Sequence, residues 1–156
     1  MKKLALLFAG LSLFVATGCN DDDNDTQEFP LVGLWQPIKE VVTTIPVSGS
    51  GVSDEITYND CQKQSRWRFD EGSSGKRNNV EESPNPGQCD TVFERPFTYT
   101  YNKSDKRVEI KYQGIVTPDK GKVTTLNDTT LNLTIEDTTD PNEYHSVTYT
   151  FKRIPQ

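Results

Sequence analysis

The chain has 156 residues, a formal net charge of −6 and a hydrophobic share of 33%. Its first 18 residues read as a removable leader, which leaves 138 residues and room for one domain. All three alanines and the only methionine sit in that leader, whereas the remainder holds 17 threonines, 11 valines and 7 isoleucines against 5 leucines; this β-branched excess excludes a helical domain. Without Lys2 and Lys3 the charge falls to −8, which argues against nucleic acid as a partner.

Lys2 and Lys3 precede an apolar run from Leu4 to Ala16, whose 13 residues are too few to cross a bilayer as a helix and suit the core of a signal peptide. The run ends in Ala16-Thr17-Gly18-Cys19, which resembles the lipobox of bacterial lipoproteins. That resemblance implies that Cys19 is acylated, becomes the mature N-terminus and ties the protein to a membrane through its lipid. An ordinary signal peptide with an incidental cysteine is the alternative. Residues 19–30 read as a disordered, self-repelling tether, because Asn20-Asp21-Asp22-Asp23-Asn24-Asp25-Thr26-Gln27-Glu28 has no apolar side chain to bury. The run lacks the central glycine and closing glutamate of a calcium loop. It resembles the acidic stretch behind the acylated cysteine of surface-exported lipoproteins of Bacteroidota, which implies an outer-membrane protein facing outward.

From residue 34 onward, alternating segments between clusters of Gly, Pro, Asn, Asp and Ser predict eight strands, at 34–44, 63–70, 76–81, 92–101, 106–112, 122–126, 130–136 and 144–153. Pro37 removes a ladder donor, so a bulge or irregular edge pairing is expected there. In an up-and-down arrangement the connections at one end have 18, 10, 9 and 7 residues and those at the other 5, 4 and 3. That asymmetry favours a cup with an open mouth over a sandwich. The expected fold of residues 31–156 is therefore all-β, an eight-stranded up-and-down antiparallel barrel. Cys61 and Cys89 both fall at the mouth and should pair after export. With one histidine in the chain a zinc site lacks ligands, and neither a metal nor a cofactor is expected.

Several short motifs then carry a resemblance. Leu31-Val32-Gly33-Leu34-Trp35, with its Gly-x-Trp opening, Trp67-Arg68-Phe69-Asp70-Glu71-Gly72, the run Val123 to Leu133, and Tyr149-Thr150-Phe151-Lys152-Arg153 occur in the order and spacing of the lipocalin-like domain, which residues 31–153 resemble. The fourth strand departs from the pattern, with Pro96-Phe97-Thr98-Tyr99 where that family often has Gly-x-Trp. Trp35 opens the first strand and Arg153 closes the last at the same end, so the guanidinium can stack on the indole; in lipocalin-like barrels such a pair seals the base.

Alternation places Trp35, Val41, Trp67, Phe69, Phe93, Phe97, Tyr99, Tyr101, Val108, Ile110, Tyr112, Leu131, Leu133, Ile135, Val147, Tyr149 and Phe151 inside. So aromatic a set can either fill a narrow barrel or line a small cavity. Lys63, Arg95 and His145 share that face near the mouth. Above Trp67, Phe69, Phe93, Phe97 and Tyr99 they would suit an amphipathic ligand with an acidic head, anchored chiefly by Arg95. The alternative for each is a charged head that reaches water or pairs with a loop carboxylate. No nucleophile motif, phosphate loop or paired-carboxylate spacing occurs, so an enzyme is not expected. Two function classes remain. One is a lipid-anchored carrier of a small amphipathic or hydrophobic ligand. The other is a surface module with a filled barrel that contacts a protein or glycan through mouth loops 45–62 and 82–91.

Overall fold

The computed structural model describes residues 29–156; the leader, Cys19 and the tether up to residue 28 lie outside the described residues. Nine antiparallel strands follow one another: β1 (Gly33–Pro46), β2 (Val52–Thr57), β3 (Arg66–Phe69), β4 (Ser74–Glu82), β5 (Cys89–Asn102), β6 (Arg107–Tyr112), β7 (Asp119–Leu126), β8 (Thr130–Asp137) and β9 (Glu143–Ile154). Eight of them close a barrel, with β3 to β9 in sequence order and β1 bridging β9 and β3. The all-β, eight-stranded antiparallel barrel read from the sequence is therefore present.

The ninth strand is a correction. Residues 45–62 are not one long mouth loop: β1 runs on to Pro46, turns, and returns as β2, whose Val52–Thr57 pair with Thr44–Lys39. Every residue of β2 is exposed, and Asp54 and Glu55 put charge on this free edge, which discourages pairing with another chain. The segment 63–70 also starts differently, as a 3-10 turn at Gln62–Gln64 with only Arg66–Phe69 extended. Because several strands run further than expected, mouth connections such as 83–88 and 113–118 are only slightly longer than base connections such as 70–73 and 127–129.

Closure between β1 and β3 is narrow. Only Gly33–Phe69, Leu34–Arg68 and Trp35–Trp67 pair across it, whereas β1 and β9 pair from Leu34–Ile154 to Pro46–Glu143. The wall therefore parts above Trp35, and the turn at 62–64 fills the gap. The Cys61–Cys89 disulfide, with a Cα separation of 5.4 Å, staples this turn to the start of β5.

Pro37 acts as expected and with a further consequence. The ladder shifts between Pro37 and Lys39, and a one-residue slip reverses which side chains face inward. Val41 consequently lies opposite Thr148, on the outer face, while Glu40 and Val42 lie opposite Tyr149 and Val147, on the inner one. The expected inward Val41 is thus replaced by a carboxylate.

The lower half of the barrel is packed solid. Trp35, Ile110, Leu131, Leu133 and Phe151 have no measurable exposure, and Phe69 and Val123 only 1%. Leu31 and Val123 join this core although the alternation had not placed them there. Phe69 meets Phe97 and Tyr99 edge-on at 5.3 and 5.0 Å, the arrangement in which ring edges meet π-faces. Gly75 permits this contact, because a Cβ there would lie 2.4 Å from the Phe97 ring.

Candidate functional site

The base is closed by the expected stack. The Arg153 guanidinium lies 4.1 Å from the Trp35 ring centre and donates to the carbonyls of Val32 at 2.9 Å and Pro30 at 2.8 Å. The indole N–H in turn donates to the Leu31 carbonyl at 2.9 Å. Gly33 is required here: its φ is +148°, and a Cβ would sit 2.5 Å from the Arg153 guanidinium. Every partner in this cluster is a backbone carbonyl or a ring face, so it ties the entering chain across the barrel floor.

A second tryptophan and arginine meet inside the mouth half. Arg77 of β4 stands beside Trp67 of β3 in the ladder, and its guanidinium lies 4.3 Å from the Trp67 ring centre, with Phe93 at 5.6 Å and Tyr149 at 5.8 Å. Its hydrogen bonds go to side chains, from Nε to Asn79 Oδ1 at 3.0 Å and from Nη1 to the Tyr112 hydroxyl at 3.2 Å, and the Tyr149 hydroxyl also favours its charge. A guanidinium has five N–H donors, so two remain even when Tyr149 is counted as an acceptor beside Asn79 and Tyr112. No described carboxylate lies within ion-pair distance of Arg77. Burial pulls its pKa down, but the Tyr112 and Tyr149 hydroxyls raise it by more, so the group stays a cation.

Beside Arg77 the barrel opens into a cavity of about 330 Å³ at the seam where β1 leaves β3. Trp67, Tyr149, Arg77, Glu40, Tyr58 and Glu81 line it. The Tyr58 hydroxyl donates to Glu40 in a short contact, and Gln62 donates to Glu81 at 3.1 Å. Burial first, and the Glu40 acceptor second, push the Tyr58 hydroxyl far above its ordinary value, so it remains a donor at any physiological pH. Burial likewise raises Tyr112 and Tyr149, against the pull of Arg77. The cup thus offers a cation with spare donors, two carboxylates and two aromatic faces in a partly dry space. A second mouth cavity of about 540 Å³ lies among β7, β8 and β9, with Ile115, Asp119, Ile135, Asp137 and His145 in its wall.

The residues singled out from the sequence are dispersed among these features. Trp67 lines the smaller cavity and His145 the larger. Phe69, Phe97 and Tyr99 are buried against one another in the packed half. Phe93 packs edge-on to Tyr112 at 6.1 Å. Lys63 belongs to the 3-10 turn, where its carbonyl accepts from Gln36 and Arg66. Arg95 lies opposite Arg77 in the ladder, but its Nη1 donates to the Gln113 carbonyl at 3.1 Å and its guanidinium rests 5.6 Å from the Phe93 ring. Sequence reasoning passed over Arg77, Glu40 and Tyr58. Among the described residues no three His, Cys, Asp or Glu side chains converge to hold a metal ion.

The profile of the lipocalin-like domain family matches residues 31–133. No curated protein matches the chain in sequence. Among solved structures, lobster apocrustacyanin A1 is similar at 12% identity and a TM-score of 0.48, over 80% of this chain and 61% of that one. Bovine odorant-binding protein in complex with undecanal is similar at 15% identity and a TM-score of 0.44, over 83% and 76%. This chain thus spans less than two thirds of the crustacyanin's length.

Proposed function

Because this chain belongs to the lipocalin-like domain family, we propose that it is a binding protein, held to the outer membrane by a lipid on Cys19 and facing outward, whose ligand sits in the mouth-half cup beside Arg77. The observation that carries this reading is a half-buried guanidinium with two donors to spare and no carboxylate in contact, at the wall of a cavity. Hydroxyls, an amide and ring faces hold this charge without an ion-paired carboxylate, and an acidic group entering the cup would supply one.

At about 330 Å³ the cup is at the small end of ligand pockets, which run from about 300 to 1,000 Å³. Glu40 and Glu81 ask for donors as well. The ligand that fits is small and polar, with an acid group for Arg77 and a hydroxyl or ammonium for the carboxylates; a long apolar tail has no room among the rings below. Arg77 takes the anchoring role that the sequence suggested for Arg95.

Native mass spectrometry of protein purified without denaturant tests this directly. Wild type should retain a small polar molecule that Arg77→Met loses. An empty wild-type protein that also shows no thermal shift with a panel of small amino and hydroxy acids would favour the filled-barrel surface module instead. For the anchor, Cys19→Ser should move the protein from the membrane to a soluble fraction, and unchanged membrane association would remove that part of the reading.

A further inference from the structure

A further cleft lies on the outside of the barrel. Beyond Tyr112 the chain leaves the ladder, since β6 pairs with β7 only over Arg107–Ile110. The 113–118 connection then folds back against the sheet: Gln113 donates to the Pro96 carbonyl at 3.1 Å and Ile115 to that of Tyr112 at 3.1 Å, with Gly114 at a φ of +80° making the turn. Arg95 clips this loop from the inner side through the Gln113 carbonyl. Between the loop and the outer faces of β3 to β6 runs a groove of about 830 Å³.

Its chemistry combines apolar surface with positive charge. Pro96 and Thr98 form the floor, and Ile115 and Val116 overhang it, exposed by 39% and 91%. The ladder sets three cations around that floor, because Arg68 lies opposite Lys76, Lys76 opposite Pro96, and Lys111 opposite Thr98. Like charges directly opposite on one face are unfavourable. Arg68 and Lys76 are each offset by their own carboxylate, Asp70 at 2.9 Å and Glu94 at 2.8 Å. Lys111 makes no ion pair among the described residues. With Arg68 and Lys76 paired, Lys111 leaves the groove one net positive charge on a chain of net charge −6, which favours an anion by complementarity.

We propose that this groove binds a free single-chain anionic amphiphile, with its head group on Lys111 beside Lys76 and its alkyl chain on Pro96 beneath Ile115 and Val116. This site stands independently of the Arg77 cup.

Decanoate below its micellar concentration is the probe, titrated calorimetrically against the full chain. Lys111→Glu and Val116→Asp should each weaken it about 10-fold or more, while Lys152→Glu, an equal charge change on the exposed side of β9, should leave it unaltered. Decanol should bind at least about 10-fold more weakly than decanoate. Amide shifts induced by decanoate should centre on residues 97–98 and 113–116. Equal affinity in wild type and Lys111→Glu would overturn the proposal, as would shifts centred on Trp67 and Tyr149, no binding by wild type, or binding only to anionic vesicles.

Discussion

The barrel contains two arginine–tryptophan stacks of almost the same geometry, 4.1 Å at the base and 4.3 Å in the mouth half, and they do different things. Arg153 bonds through Nη1 and Nη2 to the backbone carbonyls of Val32 and Pro30, groups that belong to the chain path and cannot be exchanged, and its buried Nε has no partner. Arg77 spends its donors on hydroxyl and amide side chains and faces a cavity. A cation–π stack of about 1 kcal/mol or somewhat more does not by itself decide a role. The remaining donors and their partners do, and they make the first arginine a seal and the second a recognition element.

That contrast can be broken at the base first. Trp35→Ala removes a side chain with no exposure that also carries the Arg153 stack, and should cost about 3–5 kcal/mol, read by urea denaturation. Replacing Cys61 and Cys89 by serine should cost about 3–4 kcal/mol for a bond spanning a 28-residue separation. Hydrogen exchange should show the loss concentrated in residues 58–66 and 79–82, around the cup, while residues 33–35 stay protected; uniform acceleration would contradict a separate mouth half. Arg153→Met should cost about 1–3 kcal/mol, since two carbonyls lose their donor.

The smallest effect expected concerns Asp119, whose carboxyl burial raises against the pull of Arg77. A raised folded-state value means the fold binds this proton more tightly than the unfolded chain does, so stability falls as pH rises from the ordinary carboxyl value through the raised one. Asp119→Asn should therefore raise Tm slightly at pH 7, and the gain should vanish below the ordinary carboxyl value. A gain that persists in acid would assign it to packing instead.

The wall of the barrel was legible in the sequence because hydrophobic alternation is a local signal, and the Gly33-Leu34-Trp35 opening together with Arg153 was legible as a motif. The cup was not, for two physical reasons. Arg77 shares its face with Gly75 and Asn79, so its strand shows no apolar stripe to mark an inner side, and only the pairing with Trp67 reveals its place. Glu40 faces inward because of the shift after Pro37. The proline announced that shift, but its size, one residue, is set by how β1 fits β9. Arg95 shows the converse: its inward parity was readable, but its commitment to the Gln113 carbonyl depends on a loop that folds back only once the sheet exists.

The central claim, that the mouth arginine recognises a ligand and the base arginine holds the fold, is tested most directly by comparing Arg77→Met with Arg153→Met for both unfolding free energy and retained small molecule. Asn79, which Arg77→Met leaves without its donor, lines the cavity and can bond water there, whereas the carbonyls that lose Arg153 belong to the packed floor. Arg77→Met should therefore stay within about 1 kcal/mol of wild type and lose the bound molecule, while Arg153→Met should lose stability and keep it. If Arg77→Met unfolds as readily as Arg153→Met and leaves the bound species unchanged, Arg77 is a filler of the barrel and the account of the cup is wrong.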